Sequence, residues 1–326
     1  LRLTPPLAAL LMALSSITVV INALLLPPAA PDPAAHFPDL ARAVKRLVAA
    51  CRQGEAVAIC GDYDADGMTS TALLVGVLGR LGARPQAAIP SRLQEGYGLN
   101  PAMVERLAGE GIRLLITVDN GVAAVEALER ARALELEVIL TDHHTLPEQL
   151  PPHLALLHPA TTPVASPYRG LAGVGLAHVL AEALCRKLRR PDALALALDL
   201  FCIGTIADMA PLQGVNRRWL LEGLPQLASS ALPGLQALQQ LAATGWRACL
   251  GAPRGPVHLN LPFEEPLHAD ASTVAAAARA QAAAVAAAAS GLAPEAVPPG
   301  IGTVTPWLGA DTPAAAPRVS LNADQP

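Results

Sequence analysis

The sequence predicts an α/β domain over residues 36–245, a Rossmann-like parallel sheet with helices on both faces. AVAIC (56–60), LLITV (114–118) and EVILT (137–141) are short apolar runs without polar alternation, as strands buried on both faces of a parallel sheet require. Stretches with apolar residues at helical spacing separate them, so strand and helix alternate and the connections become right-handed crossovers. Each of the three runs is followed by aspartate, at the edge where open α/β sheets place their ligands.

From the amino end, residues 1–35 read as an apolar helix and a Pro-rich linker. Residues 7–26 carry no charge and are long enough to span a bilayer. The favoured reading is nevertheless a helical leader to a cytoplasmic domain, with membrane association the weaker alternative. Cys51, Cys60, Cys185, Cys202 and Cys249 form no C-x-x-C pair, which suits reduced thiols in a cytosol. After the first strand, MTSTALLVGVLGRLG predicts a helix with Thr69 and Ser70 in its first turn and Leu73, Leu74, Val77, Leu78 and Leu81 on its buried face. NPAMVERLAGEGI predicts a second helix, capped by Asn100 with Pro101 at its first position, and GVAAVEALERARALEL a third. Gly170, Gly173 and Gly175 do not complete a dinucleotide fingerprint, because position 178 is His. They predict a helix that starts tightly against the sheet, with His178 packed or at its surface. Residues 271–289 are alanine-rich with little large apolar surface to bury, and 291–326 are rich in Pro, Ala and Gly, so the tail over 246–326 is expected to be poorly ordered in part.

GDYDADG sets Asp62, Asp64 and Asp66 at every second position directly after the first strand. Carboxylates packed this closely repel one another, and a divalent cation is the usual reason to tolerate them. An EF-hand loop would use the same acids with Gly67, but its twelfth position is Leu73, and a strand rather than a helix precedes it. The second strand end contributes Asp119, the third Asp142, His143 and His144. Aspartate with imidazole suits Mn²⁺, Mg²⁺ or Zn²⁺ better than Ca²⁺. Asp208, in FCIGTIADMAPL, is a fourth contribution. Arg92, in SRLQEGYG, is a candidate phosphate contact.

GDYDADGMTSTALL, TVDNG, TDHH, LAGVGLAHVL and IGTIADMAPL, in this order, resemble the DHH phosphoesterase superfamily, specifically the RecJ single-strand-specific exonucleases. The resemblance extends to IPSRLQEGYGLN and SPYRGLAGVG. The oligoribonuclease and cyclic-dinucleotide branch of that superfamily has His in an HxxxDxD arrangement where this chain has Cys60, which favours the RecJ branch. The resemblance implies two Mn²⁺ or Mg²⁺ ions held by Asp64, Asp66, Asp119, His143 and Asp208. Asp62 and Asp142 would lie close by as ligand or orienting groups, and His144 would face the scissile phosphate. It further implies hydrolysis by water, without a protein nucleophile, releasing 5′ mononucleotides from the 5′ end of single-stranded DNA.

Composition pulls the other way. With net charge −4, 15% charged and 3% aromatic residues, the chain is short of the basic groove and stacking aromatics that grip single-stranded nucleic acid. In the resembled family those functions fall largely to a DHHA1 domain and an OB-fold, and no GGGH-like segment follows residue 245. Weak activity is therefore expected. RGPVHLNLPFEEPLHAD (254–270) instead resembles a short stretch of MenD, a thiamine-diphosphate synthase, without its cofactor motifs; an altered reading frame and a natural fusion both remain open. Two other functions stay in play: an oligonucleotide or cyclic-dinucleotide phosphodiesterase of the same superfamily, and a catalytically inactive binding or scaffold protein. No protein partner is legible.

Overall fold

The computed structural model describes residues 30–91, 95–250 and 254. The apolar stretch 7–26 and the sequence after 254 lie outside the described residues. The chain divides into two compact units, one ending at Leu227 and one beginning at Ala228.

In the first unit the elements follow as α1 (Leu40–Gln53), β1 (Ala56–Cys60), α2 (Ala65–Arg80), β2 (Arg84–Ala88), α3 (Pro101–Gly109), β3 (Leu114–Val118) and α4 (Val125–Ala133). They continue as β4 (Glu137–Thr141), β5 (Ala155–Leu157), α5 (Gly173–Leu188), α6 (Ala197–Ala207) and α7 (Gly214–Leu227). The strands form one parallel sheet in the order β2-β1-β3-β4-β5. Winding runs from β1 out to β2, then reverses to β3 and onward, so β1 and β3 are neighbours at the reversal. Doubly wound sheets leave their ligand crevice there, at the carboxyl ends of the strands.

Period-two alternation explains why β1, β3 and β4 after Glu137 are apolar on both faces, whereas the edge strand β2, RPQAA, is largely exposed. Val57, Ile59, Leu114, Ile116, Val118 and Ile139 point into one core with α1, α2, α5, α6 and α7. Ala58, Cys60, Leu115, Val138 and Leu140 point into the other, with α3 and α4. Each fully buried Leu, Ile or Val contributes roughly 1.5–3 kcal/mol. At the amino edge of the sheet, Arg46 of α1 donates to Glu55 at 2.6 and 2.7 Å and to Glu137, the first residue of β4.

The three strands and the helices α3 and α4 form where the pattern predicts them, and the Asn100 side chain accepts from Met103 N at 2.9 Å. Both helices are shorter than the stretches 100–112 and 121–136 that predict them, and the start of α2 differs. Helix α2 begins at Ala65, with Asp64 as its N-cap accepting from Gly67 N at 2.9 Å. Thr69 and Ser70 therefore lie in its second turn, and Leu81 caps its far end. A capping aspartate satisfies an otherwise orphaned amide, and that outweighs the apolar pattern in choosing the start. Helix α8 (Pro233–Leu250) belongs to the second unit and exposes Leu238, Trp246 and Leu250. Among the described residues no helix is long and apolar enough to cross a membrane.

Candidate metal centre

Asp62 leaves the end of β1 and is fully buried, with neither carboxylate oxygen accepting a well-formed hydrogen bond. Gly67 makes room for it: a Cβ there would stand 1.7 Å from Asp62 Oδ1. Capping α2 leaves Asp64 exposed. In the first turn of the same helix, Asp66 is buried and accepts from Gly173 N at 2.6 Å and Val174 N at 2.8 Å, the opening amides of α5. A carboxylate at a helix N-terminus meets both orphaned donors and the positive end of the dipole. The glycines of LAGVGLAHVL thus let α5 begin directly beside the sheet, since a Cβ on Gly173 would come within 2.6 Å of Asp119 Cβ.

Asp119 follows β3 in the left-handed region, φ +60°, where Asp and Asn are the tolerated non-glycine residues. Its carbonyl accepts from the Tyr97 hydroxyl at 3.2 Å. The next residue, Asn120, donates to the Cys60 and Val118 carbonyls and accepts from Leu99 N at 3.1 Å, tying the ends of β1 and β3 to the loop before α3. From the end of β4, His143 Nε2 stands 2.9 Å from Asp119 Oδ1 and 3.7 Å from Asp66 Oδ2. Asp142 faces inward. Its Oδ1 accepts from His144 N at 3.0 Å and meets His144 Nδ1 at 2.8 Å, while Oδ2 accepts from Val122 N at 2.9 Å. The His144 side chain is 49% exposed at the mouth. Asp208 closes α6.

Among the described residues, three triads bring their potential ligand atoms within 4.8 Å of one another inside each triad: Asp62, Asp64 and Asp119; Asp66, His143 and Asp208; and Asp119, His143 and His144. The chain thus brings Asp62, Asp64, Asp66, Asp119, His143, His144 and Asp208 together, with Asp142 behind His144. Arg92 lies outside the described residues. Sequence reasoning missed Asn120, Tyr97 and His158. His158 follows β5 and meets the His144 carbonyl through Nε2 at 2.7 Å. A polar residue before Pro159 is an N-cap signal, but nothing local in the sequence tells what else its ring reaches. Tyr97 packs edge-on to both Tyr63 and His144, with ring centroids 6.0 and 6.2 Å apart.

Crowding and burial disturb the ionisation of these groups in the sense a cation would correct. Burial pushes Asp62 up to about 6, and the neighbouring Asp64 charge adds to it; the Tyr97 hydroxyl, engaged mainly with the Asp119 carbonyl, offsets part. Burial and then the charges of Asp66, Asp62 and Asp64 push Asp119 up to about 10. Burial also raises Asp66, despite its two amide donors, and Asp208. For Asp142 burial acts upward but is outweighed by the hydrogen bonds from His144 and the Val122 amide, so it falls, and the same bond raises His144. Oxygen-rich, mutually repelling carboxylates with buried unpartnered oxygens and one nearby imidazole fit hard divalent cations.

Residues 56–205, which carry this fold and most of this site, match the model of the DHH family, N-terminal domain. The chain is 43% identical over 200 residues, 61% of its length, to the single-stranded-DNA-specific exonuclease RecJ of Bacillus subtilis (strain 168), of which it covers 25%. A solved exonuclease RecJ bound to manganese matches with a TM-score of 0.58 at 40% identity, over 63% of this chain and 52% of that one. The chain spans 25–40% of the length of the curated RecJ proteins it matches. A separate likeness, 59% identity over 51 residues, joins 16% of the chain to 9% of the 2-succinyl-5-enolpyruvyl-6-hydroxy-3-cyclohexene-1-carboxylate synthase of Parasynechococcus marenigrum (strain WH8102). That match is longer than the stretch 254–270 in which the sequence suggested a synthase.

Proposed function

We propose that this chain is a metal-dependent phosphodiesterase of the RecJ kind. Its substrate is single-stranded DNA, cut from the 5′ end to 5′ mononucleotides in the cytoplasm, in repair and recombination. The DHH phosphoesterase domain is taken as 36–245, preceded by the leader 1–35 and followed by an unrelated tail, 246–326. One observation carries the reading: acids and an imidazole from four separated segments converge within ligand distance of one another, with buried carboxylate oxygens that no protein donor satisfies. The manganese of the solved relative supports Mn²⁺ or Mg²⁺ as the ions.

Asp64, Asp66, Asp119, His143 and Asp208 would hold two cations, with Asp62 completing the donor set beside Asp64 and Asp119. When bound, such ions polarise a water and neutralise charge at the phosphate. The chain's own residues do the rest. Asp66 fixes α5 against the site through two amides. Asp142 takes the Nδ1 proton of His144 in a hydrogen bond, which turns Nε2 toward the mouth and favours the charged ring. His144 then donates to a non-bridging phosphate oxygen, with Arg92 as a second phosphate contact.

The test is a Mn²⁺-dependent assay on 5′-labelled single-stranded DNA, run beside Asp119→Ala. Mononucleotide release that stops with chelator and in the variant is the expected result. Release unaffected by either would overturn the reading. Preferential cleavage of dinucleotides in competition would move the assignment to the other branch of the superfamily.

A further inference from the structure

His158 holds a position that the metal ligands do not explain. It is 3% exposed, sits immediately after β5, and makes two ring contacts whose polarity is fixed by their partners. Nδ1 accepts the Ala160 amide at 3.0 Å, so in the neutral ring the proton is on Nε2. Nε2 therefore donates to the His144 main-chain carbonyl, 2.7 Å away. The residue's own carbonyl is held by Thr161 Oγ1 at 2.7 Å. A second strut runs parallel to it: Asp142 N donates to Leu157 O at 3.3 Å. The segment Asp142, His143, His144 is thus tied to the end of β5 at both of its ends, and between the ties lies the ring that stands 2.9 Å from Asp119.

We propose that His158 is a positioning residue for this site, setting the backbone of the His143–His144 segment through its Nε2–H bond to the His144 carbonyl. The proposal rests on the metal-centre reading above. Without the bond, the segment is tied to β5 through the Asp142 amide alone; His144 keeps its contact with the Asp142 carboxylate, but the backbone that carries both imidazoles loses one of its two struts. Partners one step removed from the metal typically change affinity by 10- to 100-fold when lost, and a backbone tie belongs at the lower end of that range.

The two ring nitrogens can be separated by substitution in the full chain. His158→Asn keeps an acceptor near Nδ1 for the Ala160 amide but cannot reach His144, whereas His158→Gln keeps a donor near Nε2 and gives up the turn contact. Mn²⁺ affinity by calorimetry, and ¹⁵N spectra of the histidine rings in chelator, are measured for both. The expected result is about tenfold weaker Mn²⁺ binding and a shifted His144 ring signal in His158→Asn, with both close to wild type in His158→Gln. A wild-type affinity and His144 signal in His158→Asn would overturn the proposal, as would losses in the two variants that merely follow their melting temperatures. Should the wild type bind no Mn²⁺, the metal reading fails, and the ring spectra alone still decide whether His158 sets His144.

Discussion

The two edges of the sheet hold acids in opposite states. At the amino edge Glu55 and Glu137 share the guanidinium of Arg46, in contacts no more than half exposed. At the carboxyl edge Asp62, Asp64, Asp66, Asp119 and Asp208 crowd together. Of the ion pairs among the described residues, those that reach this group come from His143. Acids that serve the fold are given a cation by the chain, while acids at the strand ends beside the reversal of winding are left for cations from solution. Burying an unpaired carboxylate is costly, so its persistence at one edge marks that edge as the functional one.

Four experiments break or sharpen this contrast. The largest effect is expected from Asp119→Asn, which tolerates the left-handed backbone but removes a charge: activity should fall on the order of a thousandfold, while chemical denaturation in chelator gives a stability equal to or above wild type. A clear loss of stability would return Asp119 to the class of structural acids. Saturating Mn²⁺ should stabilise the wild type by about 2.7 kcal/mol at a hundredfold excess over Kd, read as a rise in melting temperature that Asp119→Asn lacks. Arg46→Ala should do the reverse. It strands two acids, costs about 2 kcal/mol with or without metal, and leaves Mn²⁺ affinity unchanged by calorimetry.

The smallest test uses a titratable group belonging to neither edge. His178 is buried among Phe201 and Trp219, and burial lowers its pKa to about 4, from 6.5. The unfolded chain takes up this proton below about 6.5 and the folded chain only below about 4, so its contribution is intact above that window and is lost as pH falls through it. His178→Phe should remove up to about 2 kcal/mol of the stability lost between pH 6.5 and 4.5, measured by urea titration at the two values.

Much of this was legible in the sequence because it is written in local pattern. β1, β3 and β4 announce themselves as apolar runs and α3 by its Asn-Pro cap, while the polar edge strand β2 and the three-residue β5 do not; the motif acids stand out because like charges at every second position are rare without a purpose. What was not legible depends on partners distant in sequence. Helix α2 starts earlier than its apolar face suggests because Asp64 caps it. Asp66 reads as one more motif acid, yet its oxygens are taken by amides 107 and 108 residues away. Asn120 and His158 look like ordinary turn residues until the ends of β1, β3 and β5 are seen side by side.

The position of Asp208 at the close of α6 has a consequence for synthesis. Potential ligands are drawn from residues 62 through 208, so a growing polypeptide still attached to the ribosome cannot assemble the complete set until most of this domain has been made. Nascent fragments would carry only part of the ligand set, and the capacity to hold the cations would arrive late and all at once.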